Sequence, residues 1–310
     1  MKWRVLTALA ATVLLAAVAV GYTVLRAHPA PAGDRRAVTL DGPGLLLRDT
    51  TSGTLALQHP DGTRSGTDLH CARVYAASGT GVCLRESPGS YQLTVLDRNL
   101  DQLRSIPLNG TPSRARVSPS GRMVAWTVFV AGDSYNGGRF STRSGILDTR
   151  TGTLVGTLES FTEEGRPLPA DANVWGVTFT TDDNTFYATL SAGGHRSLVR
   201  GDFARRDLQV LKDNVECPSL SPDGTRIAYK KMLPDQTWRL TVLLLADGTE
   251  TPLAETRSVD DQAAWLDGTT VAYGLPHDHG TGADTWTVPA DGSGTPRLLA
   301  RDAESPAQLR

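Results

Sequence analysis

The sequence predicts an all-β chain: a six-bladed β-propeller of four-stranded antiparallel blades, preceded by one N-terminal transmembrane or signal-anchor helix. Three observations lead there. A tight turn flanked by apolar runs recurs along the chain. Its recurrences follow the roughly 40–45-residue period of propeller blades. The first 26 residues carry a long uncharged apolar segment.

That segment comes first in the chain. Val5 to Leu25 holds no charge and follows Lys2 and Arg4. At ~1.5 Å per residue it spans the ~30 Å hydrocarbon core. The apolar region of a cleaved signal peptide is shorter, about 7–15 residues. Residues 1–26 are therefore read as an uncleaved anchor, with secretion after cleavage as the alternative. Residues 27–36, AHPAPAGDRR, make an extended linker. The basic head sets the N-terminus inside. Residues 37–310 are then expected outside the cell membrane, on a single-pass tether.

The repeat is clearest in 214–231, NVECPSLSPDGTRIAYKK. Pro222 presets φ for a turn, and Gly224 supplies the positive φ that closes it. Related hairpins carry Ser118-Pro119-Ser120-Gly121, Thr181-Asp182-Asp183, Asp267-Gly268 and Ser78-Gly79. Asp41-Gly42-Pro43-Gly44 reads as a degenerate first copy. Turn positions 42, 79, 121, 183, 224 and 268 give steps of 37, 42, 62, 41 and 44, the longest holding an insertion. A second hairpin follows each copy, as in Ser144–Gly152 and Leu240–Gly248. Each repeat is thus a four-stranded meander, which buries both faces only by stacking on neighbours around an axis.

Closure requires the two ends to share a blade. Asp302–Leu309, DAESPAQL, is similar to Asn214–Ser221, NVECPSLS. It is expected to form the innermost strand of the first blade, with Ala37–Leu40 as a rival.

Here the residues reach a family. The SPDG-type turn between apolar strands, followed by the turn Asp148-Thr149-Arg150-Thr151-Gly152, resembles the repeat in the propeller domain of TolB. The resemblance covers residues 37–310 and implies the fold. The same repeat occurs in binding proteins and in peptidases, so it implies no single activity. No counterpart of the α/β domain that precedes the propeller in TolB is expected in these residues, and a membrane segment is expected ahead of the propeller. A Tol-system role is not expected.

The net charge of -2 offers no field for nucleic acid. The three cysteines, Cys71, Cys83 and Cys217, form no C-x-x-C pair. A turn centred on Gly79-Thr80 sets Cys83 opposite Ala76, five residues from Cys71. That slip exceeds disulfide reach unless the strand bends.

In a meander blade the short a–b and c–d turns lie on one face. The b–c loops and d–a linkers lie on the other. The insertions 129–143 and 159–173, with 276–284 and 257–261, fall in the second class and are expected on one rim. Loops on a rigid scaffold carry function disproportionately. Candidate binding residues there are Asp133, Tyr135, Asn136 and Arg143. Trp175, Asp260 and Asp261 enter inner strands and are expected to face the central channel. Each has an ordinary alternative: a solvated loop for the first four, blade packing for Trp175, a polar linker for the aspartates. His277-Asp278-His279 offers metal-ligating side chains, but no third ligand can be named from sequence, so no metal or cofactor is assigned. No G-x-S-x-G, H-E-x-x-H or P-loop motif occurs, and no catalytic residue is assigned. The expectation is a non-catalytic module binding a protein partner or a cell-envelope component. The alternative is an envelope-polymer lyase or hydrolase using Asp260, Asp261 and the 277–279 loop.

Overall fold

The computed structural model describes residues 38–130 and 141–310. The anchor expected at 1–26, the linker at 27–36, and Asp133, Tyr135 and Asn136 lie outside the described residues. Among the described residues no helix is long and apolar enough to cross a membrane.

Among the described residues six sheets follow one another as blades, each built on four antiparallel strands. Blade 1 holds β1 (Gly44–Asp49), β2 (Thr54–Gln58) and β3 (Arg64–His70); blade 2 holds β4 (Arg73–Ala77), β5 (Thr80–Ser87), β6 (Ser90–Leu96) and β7 (Gln102–Leu108). Blade 3 holds β8 (Thr111–Val117), β9 (Met123–Val130), β10 (Ser141–Asp148) and β11 (Leu154–Val155). A hairpin of β12 (Thr162–Glu163) and β13 (Arg166–Pro167) precedes blade 4, which is β14 (Asn173–Phe179), β15 (Thr185–Ala192), β16 (His195–Asp202) and β17 (Asp207–Asp213). Blade 5 is β18 (Glu216–Leu220), β19 (Arg226–Met232), β20 (Trp238–Leu244) and β21 (Glu250–Pro252). Blade 6 is β22 (Ala264–Trp265), β23 (Thr270–Pro276), β24 (Ala283–Pro289) and β25 (Arg297–Ala300).

The last strand, β26 (Ala303–Leu309), returns to pair antiparallel with β1, Gly44 facing Leu309 and Asp49 facing Ala303. It is the inner strand of blade 1, as its similarity to 214–221 predicts. Cys217 and Ser305 occupy the same place in that alignment, and both take a left-handed φ, 50° and 55°. Gly176 does the same in blade 4 at 68°. All three sit at bulges in inner strands, which bend the strand where blades converge. Residues 38–40 form no strand; Leu40 N–H instead donates to the Arg98 carbonyl at 2.8 Å. Gly42 therefore precedes β1 and closes no hairpin, because the inner strand of blade 1 comes from the other end of the chain.

The turns explain why the repeat folds locally. In 221–226 the Ser221 N–H donates to the Arg226 carbonyl at 2.8 Å, and Gly224, at φ 72°, donates to the Ser221 carbonyl at 2.9 Å. Asp183 stands at the glycine position of blade 4 with φ 56°. Aspartate tolerates that region better than most residues.

The core is divided among the seams. Six apolar clusters each join two successive blades, including blade 6 to blade 1. Tyr229 and Tyr273, from the two matching I/V-A-Y runs, are fully buried. Their hydroxyls donate to Glu250 and Glu255, each at 2.7 Å.

One open pairing is decided and one expectation is corrected. Cys71 and Cys83 form a disulfide, with Cα atoms 5.4 Å apart. The turn falls at Ser78-Gly79, so Cys83 faces Val74. The chain then leaves the ladder before β4: Cys71 N–H donates to the Gly53 carbonyl of blade 1 at 3.0 Å. That bend removes the remaining slip. Second, the 159–173 insertion does not stay on the loop rim. Its strand β12 pairs in parallel with β17, Thr162 beside Asp207, near the c–d turn of blade 4. The open edge of β17 supplies the unpaired backbone groups that capture it.

Candidate functional site

The inner strands all begin at the face that carries the b–c loops and d–a linkers. Their first residues, with the ends of the b strands and starts of the c strands, enclose a cavity of about 560 Å³. Such a volume suits a small ligand or a partner's side chains. Trp175, Trp238, Phe129 and Met232 supply its apolar wall, and Arg73, Arg114, Arg196, Glu216, Lys230 and Asp260 its charges.

These charges are cross-linked. Lys230, only 4% exposed at its side chain, places Nζ 2.5 Å from Asp260 Oδ1 and 4.5 Å above the Trp238 ring. Arg114 Nη2 lies 3.7 Å from the same carboxylate. Arg196 Nη1 donates to Glu216 Oε1 at 3.3 Å, and Trp238 Nε1 donates to that oxygen at 3.0 Å. The wall is thus held by charge-assisted bonds, with Lys230 over the Trp238 ring and Trp175 lining the cavity beside it.

Burial opposes the charge of Arg114, yet Cys217, Asp261 and Asp260 outweigh it and hold the guanidinium above its ordinary pKa. Its Nε is buried and unpaired among the described residues. Crowding by protein disfavours the Asp260 carboxylate, but Lys230 and Arg114 pull its pKa below the usual range. Its side chain remains 63% open to water in the cavity. Asp260 is thus a stable counter-ion and a poor proton donor at neutral pH.

Of the residues singled out from sequence, Trp175 and Asp260 line this cavity. Asp261 lies beside it in the narrow channel shared with Arg73, Arg116 and Gln262; its Oδ2 accepts the Gly274 N–H at 3.0 Å. Arg143 is exposed on β10, beside Thr142 of the cavity wall. Sequence reasoning missed Arg114, Glu216, Lys230 and Trp238. A signal was present: Arg114 and Glu216 sit near the start of an inner strand, as Trp175 does, and aligning those starts finds them.

No family model matches the chain, and no curated protein matches it. Solved structures do. TolB from Acinetobacter baumannii superposes with a TM-score of 0.60 at 18% identity, over 86% of this chain and 66% of that one. The propeller shares the TolB fold. A chain of a nidogen/laminin complex gives a TM-score of 0.59 at 11% identity, over 87% of this chain and 99% of that one. A puromycin-hydrolyzing peptidase from Mycobacterium tuberculosis gives 0.50 at 15% identity, over 84% of this chain and 46% of that one. Identities this low speak for the fold alone.

Proposed function

We propose that this chain is a non-catalytic binding propeller, held outside the membrane by its N-terminal segment. The face of the b–c loops and d–a linkers takes a protein partner or a cell-envelope component. The observation that carries this reading is the cavity on that face, where two tryptophans and a methionine stand over a frame of paired charges. Aromatic anchors in a rigid, partly polar pocket are the usual energetic centre of a recognition surface. The Cys71–Cys83 bridge supports an oxidising location. The envelope-polymer enzyme reading stands second, because the cavity carboxylates Asp260 and Glu216 are both engaged by cations.

The test is photo-crosslinking in intact cells with the full chain. A crosslinker at Trp238 is expected to capture one defined species, and one at Asp247 on the opposite turn face is not. Equal yields from the two positions would overturn the assignment of the binding face.

A further inference from the structure

The seam between blades 6 and 1 brings together three side chains from separate parts of the sequence. His277 follows β23 and opens the last b–c loop. Asp284 lies in β24. Asp302 sits in the short link between β25 and the closing strand β26. His277 Nε2 is 3.1 Å from Asp284 Oδ1 and 3.9 Å from Asp302 Oδ1. One potential ligand atom from each residue falls within 4.8 Å of the other two.

We propose that His277, Asp284 and Asp302 form a divalent metal site of zinc type at the seam where the ring closes. Ligand atoms around a zinc ion at about 2.0–2.2 Å stand roughly 3–4 Å apart, which matches the imidazole-to-carboxylate separations here. The donor set is one borderline nitrogen and two hard oxygens, which suits zinc better than calcium, whose sites are all oxygen. Two carboxylates flank one imidazole nitrogen here, and a divalent cation bound among them would offset their mutual repulsion.

The backbone presents the ligands. Asp302 is held at φ 49°; its N–H donates to Asp284 Oδ1 at 2.8 Å, and its carbonyl accepts the Thr50 N–H at 2.9 Å. His277 N–H donates to the Gly282 carbonyl at 3.1 Å, closing the loop beside the site. Gly282 suits that place: its φ of 121° is one that side chains rarely adopt, and a Cβ would crowd His277 Cε1 and Thr50 Oγ1 at 3.2 and 3.1 Å. Three protein ligands leave a coordination position for water or for a donor from a partner on the same face. The ion replaces any proton shared between Nε2 and Asp284. Because Asp302 immediately precedes β26, the ion also ties the closing strand to blade 6.

The experiment is calorimetric titration of Zn²⁺ into the metal-stripped full-length chain, with Ca²⁺ as a parallel arm and thermal melts beside both. One Zn²⁺ per chain is expected, with a higher melting temperature and no comparable Ca²⁺ affinity. His277→Ala and Asp302→Asn are each expected to weaken Zn²⁺ binding at least about tenfold, and the metal-free Asp302→Asn melt controls for folding. The proposal is overturned by no Zn²⁺ binding to the natural chain, by binding that survives both substitutions, or by Ca²⁺ binding as tight as Zn²⁺.

Discussion

Glu304 and Arg48 lie 256 residues apart and meet at 3.0 Å across the pairing of the last strand with the first. Arg73 of blade 2 reaches the other carboxylate oxygen at 3.4 Å. One acidic residue on β26 therefore links the first and last strands of the ring to the next blade. Removing residues 302–310 exposes the edge of β1 and opens two apolar seams, those holding Ala307 with Leu309 and Ala303. The truncated chain is expected to show no cooperative thermal transition. A truncation that melts at the natural temperature would rule out this closure.

The Cys71–Cys83 bridge closes a short loop, with a sequence separation of 12. Loops of this size gain about 3 kcal/mol from restriction of the unfolded chain. Cys71→Ser with Cys83→Ser is expected to lower stability by roughly 2–3 kcal/mol in denaturant unfolding. Reductant is expected to destabilise the natural chain and leave the double variant unchanged.

Acid sensitivity follows from the turn aspartates. The Arg122 guanidinium, followed by donors from its own turn, holds Asp148 well below the usual carboxylate range. Ser221 and the Thr225 N–H do the same for Asp223. Partial burial opposes the charge of Asp182, but donors from Thr180, Asn184 and Thr185 prevail and set its pKa at about 2. Lowered folded values mean that this stabilisation is complete above the unfolded value, about 3.9. It is lost as pH falls through the folded values. Melting temperature is expected to fall steeply below about pH 4, and Asp148→Asn is expected to flatten that fall. Identical acid slopes for the two proteins would exclude the Asp148 contribution.

Asp260 keeps the charge on Lys230 tolerable inside the cavity wall. Asp260→Asn leaves that ammonium with the Trp238 ring and no carboxylate partner. Breaking a buried pair costs about 3–5 kcal/mol. Asp260 is partly open to water, so a smaller loss of roughly 1–3 kcal/mol is expected by denaturant unfolding. Lys230→Met with Asp260→Asn is expected to recover much of it, since neither charge then remains.

Tyr273→Phe removes the 2.7 Å bond to Glu255, whose side chain is 1% exposed. Arg257 still holds that carboxylate at 2.6 Å. A loss of about 1–2 kcal/mol is expected, smaller than for a carboxylate left alone.

The blades were legible because their signals are local. Ser221, Pro222 and Gly224 specify a turn whatever surrounds them, and Asp183 does so in place of glycine. The closing strand was legible for a related reason: 302–309 repeats the bulged pattern of 214–221, down to the left-handed residue. The disulfide was not legible, because it depends on a bend at Cys71 imposed by Gly53 of the neighbouring blade. Nor was the course of 159–173, which is decided by the free edge of β17.

Sequence alone determined the number of blades and their order, since turn chemistry and strand alternation act over a few residues at a time. Tertiary structure decided which residues meet. Trp175, Glu216, Lys230, Trp238 and Asp260 share a cavity, and His277, Asp284 and Asp302 share a seam, only because the ring closes. Side chains from distant repeats approach within bonding distance once the blades converge on one axis, and no local spacing encodes that convergence.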